Sequence, residues 1–592
     1  MTATREKGDR AADAAQDMTI EWDVPIVMDD GQTLRADVFR PPGPGRHPVL
    51  LSYGPYGKGL SFQEGYPTAW EIMVRDHPDA AQGSSNRYQN WEVVDPEKWV
   101  GFGYACVRVD SRGAGRSPGM MDLHSDRETR DLLQCIEWAA AQTWSNTRIG
   151  LTGVSYYASN QWRAAALQPP HLAAICVWEG YNDRYRESAR HGGILCTFTR
   201  NWQDMQVVSV QHGRGDRGPR SAVTGELVCG PETLSEEDLA ALRTDLWGEL
   251  SSRKLVDGYY EARTPRLEDI RVPLLSAANW GGQGLHSRGN IEGFLRAGSA
   301  QKWLEVHGGS HWAGFYTARG IELQRRFFDH FLKGEPNGWD ATPAVQLQIR
   351  HADGHFNHRN ESAWPLPRTR WTRLYLDVQT LALTPNPPLH AGSRDYATLG
   401  DGLTFISAPM SEATEITGPS AARLRVASST EDLDLFIVLR LFSPEGAEVT
   451  FQGALDPHTP LGQGWLRASH RKTDPARSQL WRPFHTHDVE ERLTAGVPVS
   501  VDVEIWPTSI VVPAGYRLGL TVRGKDYEFE GPAATLSNMK NPMRGCGPFV
   551  HDDPDDRPPA IFDATGTLYV DPSDPAFLLL PIIPNNEPGD QP

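Results

Sequence analysis

Cysteine is scarce in this chain. Its 592 residues hold six, at Cys106, Cys135, Cys176, Cys196, Cys229 and Cys546, with no paired spacing. A zinc site needs closely spaced Cys/His pairs and a disulfide framework needs a dense, regular set, so neither is expected. Cys106 and Cys176 stand in apolar runs and read as buried thiols. No stretch approaches about 20 apolar residues, so no membrane-spanning helix is expected. The polar, Ala-rich segment before residue 18 has no apolar core of a signal peptide, and a cytoplasmic protein is the default expectation. Positive charge is also short. Lys and Arg total 58 against 75 Asp and Glu, a net charge of −17. Nucleic-acid binders need a basic face, so that class is set aside, and the acidity is read as a solubility property. Nothing in the composition implies a cofactor or a metal.

What the chain has is a change of rhythm. Residues 1–18 read as disordered. Ile20 to Val27 and Thr33 to Phe39 alternate like strands around an Asp29-Asp30-Gly31 turn. Apolar runs at Pro48–Tyr53, Tyr104–Asp110, Arg148–Thr152 and Leu172–Trp178 then alternate with helical stretches, notably Asp126 to Ala141. Strands alternating with helices predict a parallel, doubly wound sheet. Residues 185–268 break the pattern and read as a helical insertion capping the sheet's carboxyl edge. Strands resume at Val272–Ala278 and Lys302–His307, and Ile321 to Phe331 closes the α/β part, assigned to 19–184 and 269–340. From 343 to 583 short alternating runs separated by Gly, Pro and Asp predict an all-β sandwich or jelly roll, with a tail at 584–592. A large sandwich face with exposed aromatics could support a homodimer.

The chemistry concentrates at Gly153-Val154-Ser155-Tyr156-Tyr157-Ala158, between a strand and a helix. A serine at such a turn is a nucleophile elbow: the turn lifts its hydroxyl into a cleft and aims the next N–H, that of Tyr156, at the same point. The alternative is a serine that merely caps a buried helix. A nucleophilic serine needs a base. His311, in His307-Gly308-Gly309-Ser310-His311-Trp312 beyond a strand, is the first candidate and His307 the competitor. Tetrahedral intermediates need hydrogen-bond donors. The Tyr156 N–H is one, and the Tyr56 phenol, in Gly54-Pro55-Tyr56-Gly57-Lys58, is the second. Asp110 to Ser117 lacks the Lys-Ser/Thr ending of a phosphate loop and is read as scaffolding for the site. Residues 64–98, rich in Trp, Tyr, Asn and Gln, could contribute to its entrance.

Taken together, Pro55-Tyr56-Gly57-Lys58, Asp110 to Ser117, Gly153-Val154-Ser155-Tyr156 and Gly308-Gly309-Ser310-His311 resemble the family of bacterial cocaine esterases, α-amino-acid ester hydrolases and X-prolyl dipeptidyl peptidases. Asp432 to Phe436, Gly464 to Arg471 and Pro513 to Leu518 extend the resemblance into the β region. It implies an α/β-hydrolase fold with a helical cap and a C-terminal jelly roll. It also implies Ser155 as nucleophile, His311 as base, and Tyr56 with the Tyr156 amide as oxyanion hole. Two departures stand out. The family aspartate that orients the histidine, in Gly-Trp-x-Asp, is replaced in Asn279-Trp280-Gly281-Gly282-Gln283 by Gly282. Where the family has Gly-Pro-Trp-x-His, this chain reads His307 to His311. A glycine cannot fix an imidazole tautomer. Glu179, just beyond the Leu172–Trp178 strand, is the preferred replacement acid, with Asp183 and Glu292 as alternatives.

The leading expectation is a serine hydrolase that cleaves a small-molecule carboxylic ester through an acyl-enzyme. An amidase or X-prolyl-type aminopeptidase is the nearer rival. It would anchor a substrate ammonium, and Glu179, Asp183 and Glu187 could form the needed carboxylate cluster. The third reading is a non-catalytic binding protein with a decayed triad at Gly282.

Overall fold

The computed structural model describes residues 18–535 and 542–584. The expected N-terminal segment and tail therefore lie, but for residues 18 and 584, outside the described residues. Thr19–Val27 (β1) and Thr33–Arg40 (β2) pair antiparallel. Gly31 closes their turn at φ +81°, a conformation that side chains disfavour. The next strands are mostly buried, as expected of a parallel sheet covered on both faces. They are His47–Gly54 (β3), Ala105–Asp110 (β4), Ser145–Val154 (β5) and Leu172–Trp178 (β6). Arg190–His191 (β7) and Ile194–Leu195 (β8) form a separate small ribbon. Leu274–Asn279 (β9), Lys302–His307 (β10), Val345–Arg350 (β11) and Phe356–Glu361 (β12) complete a ten-stranded sheet. Its order is β1-β2-β4-β3-β5-β6-β9-β10-β11-β12. From β4 to β11 every pairing is parallel. The loops that follow β3, β5, β6, β9 and β10 therefore gather at one edge, where sites in such sheets form.

Helices Asp126–Ala140 and Tyr156–Ala166 pack on β5. The first begins where Ser125 Oγ accepts the Glu128 N–H, and it buries Leu132, Cys135, Ile136 and Ala139, residues three or four apart on one face. Between β6 and β9 the chain makes short helices, including Phe198–Trp202, Glu236–Ala241, Leu246–Ser252 and Gly258–Ala262. The Asp110 loop holds the sheet edge together. Its carboxylate accepts the Lys58 and Arg116 N–H groups at 2.6 and 2.8 Å, and Arg112 is paired with Asp131 at 2.7 Å.

Two strands that follow residue 343 join the first sheet. Val345–Arg350 pairs parallel with β10, and Phe356–Glu361 pairs with it in turn, so both extend the first sheet. Alternation marks a strand but does not say which sheet edge it joins. The following region is mostly β strands. A second, twelve-stranded sheet runs within 370–583 and includes Thr414–Ser428, Asp434–Phe442, Val499–Val512 and Arg517–Arg523. Its inward residues, among them Leu424, Leu435, Leu439, Val503, Leu520 and Leu578, form one apolar core. All six cysteines are free and buried. No helix among the described residues is long and apolar enough to cross a membrane.

Candidate active site

Ser155 stands between β5 and the helix Tyr156–Ala166 with φ +58° and ψ −112°, a backbone rarely adopted by a residue with a side chain. Its N–H donates to the carbonyls of Trp178 and Glu179, at 3.2 and 3.1 Å. The elbow is thus tied to the end of β6. Gly153 is required for this turn: it has φ +140°, and a Cβ there would meet the Tyr157 Cβ at 2.4 Å. The Tyr156 N–H opens the helix, where an N–H has no intrahelical acceptor. The Tyr156 phenol is engaged elsewhere, donating to Glu128 Oε2 at 2.7 Å.

Glu179, Asn279 and His307 lie at the neighbouring ends of β6, β9 and β10. The fully buried Glu179 carboxylate faces His311 Nδ1 at 2.8 Å with one oxygen. Its other oxygen faces His307 Nε2 and Asn279 Nδ2, both at 3.1 Å. Like Ser155, Glu179 has a positive φ, +48°. Strained backbone of this kind collects where side chains must be aimed. Burial pushes the Glu179 carboxyl up, but the charge and hydrogen bonds of His311 and His307 outweigh it and hold the group at about 2. Burial disfavours an imidazolium, yet Glu179 and Glu92 together raise His311 to about 10. His307 is raised to about 9, against burial, by Glu305 and Glu179. It lies 2.7 Å from Glu305 and is not part of the cleft wall.

Glu92 is the site residue the sequence did not reveal. Its Oε1 lies 3.0 Å from His311 Nε2, and its Oε2 is buried with no partner. It takes φ +62°, and its carbonyl accepts the Val154 N–H at 2.9 Å, next to the elbow. The only available signal was its place in the aromatic-rich stretch 64–98. Burial raises this carboxyl to about 7, opposed by His311. Tyr56 is buried too, and its hydroxyl accepts the Trp202 indole N–H at 3.2 Å, which leaves its own hydrogen free to donate. Desolvation pushes the Tyr56 phenol far above its ordinary value, so it stays protonated. Ser155, Tyr56, Tyr156, Glu92 and His311 line one largely apolar cleft. Its remaining wall includes Trp91, Phe198, Trp202, Gly282, His286, Trp312, Leu455 and Phe549. The last two come from the C-terminal β region, as does the Ala454 carbonyl that accepts the His311 N–H at 2.9 Å.

The chain is similar over most of its length to known hydrolases. The X-Pro dipeptidyl-peptidase (S15) family matches residues 30–313, and the X-Pro dipeptidyl-peptidase C-terminal non-catalytic domain matches residues 337–538. The cocaine esterase of Rhodococcus sp. (strain MB1 Bresler) is 25% identical, across 86% of this chain and 91% of its own length. A putative serine esterase of Mycobacterium bovis is 24% identical, across 85% and 90%. The crystal structure of a CocE/NonD family hydrolase from Staphylococcus aureus superposes with a TM-score of 0.82 at 32% identity, covering 96% of this chain and 94% of that one. The chain belongs to the CocE/NonD hydrolase family.

In this CocE/NonD hydrolase the other candidate carboxylates are committed elsewhere. Asp183 pairs with Arg186 at 2.8 Å and caps the Tyr185 and Arg186 N–H groups. Glu292 is bound to Arg482. Glu187 pairs with Arg288 at 2.7 Å. Asp183 and Glu187 do lie together, the Asp183 N–H donating to Glu187 Oε2 at 3.0 Å, but none of these three carboxylates lines the cleft. Their charge is met by arginines, Arg186 three residues on from Asp183 and Arg288 distant in the chain from Glu187. Gly282 does line the cleft, and a Cβ there would sit 3.2 Å from the Asn279 carbonyl, a tight fit. Among the described residues one group, His191, Cys196 and His551, brings metal-type ligand atoms within 4.8 Å of one another. It lies outside the cleft. Its two rings bond each other at 2.8 Å, and His551 bonds Asp526 at 2.8 Å.

Proposed function

We propose that this hydrolase cleaves a carboxylic ester through an acyl-enzyme on Ser155. Ser155 Oγ attacks the carbonyl and His311 Nε2 takes its proton. Glu179 holds Nδ1–H and stabilises the imidazolium, and the Tyr56 hydroxyl and Tyr156 N–H receive the oxyanion. Water then releases the acyl group by the reverse proton path. The observation that carries the reading is the 2.8 Å contact of Glu179 with His311 Nδ1, beside an elbow whose N–H is bonded to the Glu179 carbonyl. The acid sits one strand away from the place the family uses, because β6 and β9 are adjacent and parallel. Gly282 therefore does not imply decay of the triad. We read residues 185–268 as a cap, supplying Phe198, Thr199, Trp202 and Gln206 to the cleft, and the second sheet as a jelly roll. Labelling by a fluorophosphonate probe in the native protein, lost in Ser155→Ala, is the test. Absence of labelling in the native protein would leave a binding role instead.

The aminopeptidase reading keeps one supporting observation: Glu92 Oε2 is an unpartnered carboxylate oxygen in a residue of the cleft wall. Preference for substrates with a free N-terminal amine over blocked ones would favour it.

Two further outcomes are expected. Tyr56→Phe keeps the ring packing against Tyr156, Tyr157 and Trp202 but removes the donor. It should lower kcat by about 100- to 1,000-fold with little change in KM. Glu92→Gln acts on the base. His311 works only when Nε2 is unprotonated, and the Glu92 charge helps to keep it protonated. Removing that charge should move the acid limb of the kcat/KM profile to lower pH by about one unit. A limb that stays in place would exclude Glu92 from the proton balance of the site.

A further inference from the structure

Arg184 is 3% exposed and belongs to the cleft wall together with Tyr181, Ser188 and Gln206. It opens the short helix Arg184–Ala189, in the segment that follows Glu179. Its Nη1 donates to the Tyr181 hydroxyl and, at 3.5 Å, to Ser188 Oγ. Its Nε and Nη2 are buried without a hydrogen-bond partner. These two nitrogens share the guanidinium edge that binds a carboxylate with two parallel bonds. No carboxylate among the described residues comes within the 4.0 Å of an ion pair with Arg184. The acids nearby are taken. Asp183 is paired with Arg186, Glu187 with Arg288, and Glu128 Oε2 accepts the Tyr156 hydroxyl and the His124 N–H.

Several other buried arginines give the contrast, although Arg523, away from the cleft, also leaves its Nε without a partner. Arg190 meets Asp556 at 2.6 Å and Arg467 meets Asp434 at 2.8 Å. Arg108 and Arg350 lack a carboxylate, but both terminate on oxygens. Arg108 bonds the Tyr88 and Val94 carbonyls, and Arg350 bonds the Ser509 carbonyl and the Thr508 hydroxyl. Arg184 has one phenol, one long hydroxyl contact and the Tyr181 ring, its centroid 5.8 Å away. A buried charge is costly unless it is paired and hydrogen-bonded. A guanidinium in a cleft wall, with an unused carboxylate-binding edge, is suited to a counter-ion that arrives through the cleft. The Tyr181 and Ser188 hydroxyls, which accept from Nη1, retain their own hydrogens for the same ligand.

We propose that Arg184, with Tyr181 and Ser188, is the subsite for a carboxylate carried by the substrate, so that the preferred esters are anionic ones. The inference rests on Ser155 being the nucleophile of an ester hydrolase. The test therefore uses matched pairs: aryl half-esters of succinate, glutarate and adipate, and butyrate esters of hydroxycarboxylic acids, each beside its carboxamide-capped neutral form. The native protein should favour the anionic member of at least one series by about 10- to 100-fold in kcat/KM. Arg184→Gln should erase that ratio and Arg184→Lys should restore part of it. Equal or better turnover of the neutral members in both series would overturn the proposal, as would a ratio that survives in Arg184→Gln. If the variants do not fold, the native protein alone decides. Glutarate or a hydroxycarboxylate should slow its fluorophosphonate labelling, whereas the matching neutral amide should not; no difference between them counts against the subsite. A neutral fluorophosphonate that fails to label the native protein would instead sink the nucleophile reading, independently of Arg184.

Discussion

Ser155→Ala should lower kcat by about a millionfold and abolish fluorophosphonate labelling, with the thermal midpoint nearly unchanged. The size of the kinetic effect follows from the role: without the hydroxyl no acyl-enzyme forms, and triad members act as a unit whose loss is far from additive. The small structural effect follows from the geometry. The elbow is held by backbone, through the Ser155 N–H on the Trp178 and Glu179 carbonyls and the Val154 N–H on the Glu92 carbonyl. Alanine leaves all three bonds in place. It inherits the same φ of +58°, so the strain is neither relieved nor increased. Circular dichroism and thermal melting, measured beside the kinetics, separate this outcome from unfolding. Turnover persisting within about 100-fold of the native rate would remove Ser155 from the mechanism.

Glu179→Gln should cost about 10,000-fold in kcat, because an amide can present its NH2 to His311 Nδ1 and favour the wrong tautomer. It keeps the side-chain volume, so packing is not the variable. Here the charge loss has a second consequence, since one carboxylate serves both His311 and His307. The folded Glu179 carboxyl sits at about 2, below the ordinary 4.5, so its contribution to stability is complete above pH 4.5 and disappears as pH falls through about 2. The histidines are raised from 6.5 to about 10 and about 9, so their contribution is complete below pH 6.5 and is lost as pH rises through those values. Glu179→Gln should therefore lower the thermal midpoint most between pH 4.5 and 6.5, and the gap from the native protein should narrow toward pH 10. A gap independent of pH would mean that Glu179 acts by packing alone.

The elements of this site differ in how far they were legible before the fold was known. The elbow was legible because it is local: a glycine, a serine and a following helix in consecutive positions encode the turn. His311 and Tyr56 could be named because each follows a strand, and parallel strands deliver their loops to one edge. Glu179 could be preferred on the same ground. Nothing in the sequence set Asp183 and Glu292 aside, since a carboxylate's partner is not visible in chain order. Arg186 and Arg482 remove the other two, and both pairings are contacts of folded side chains. Glu92 carried no motif at all, and its place on His311 Nε2 depends on a positive φ that Trp91-Glu92-Val93 does not advertise. The assignment of β11 and β12 to the first sheet had the same origin, because a period of two specifies a strand and leaves its neighbour open.

By itself the sequence determined the alternation of strands and helices, the mostly-β C-terminal region, the buried thiols, the elbow and the loop positions of the candidate base and phenol. These follow from composition, periodicity and short-range backbone geometry. The tertiary structure alone decided which carboxylate meets His311, which meets an arginine, and that Arg184 meets none. Charge partners are chosen by distance in space, and a chain with 75 acidic and 58 basic residues offers far more pairings than its local patterns can rank.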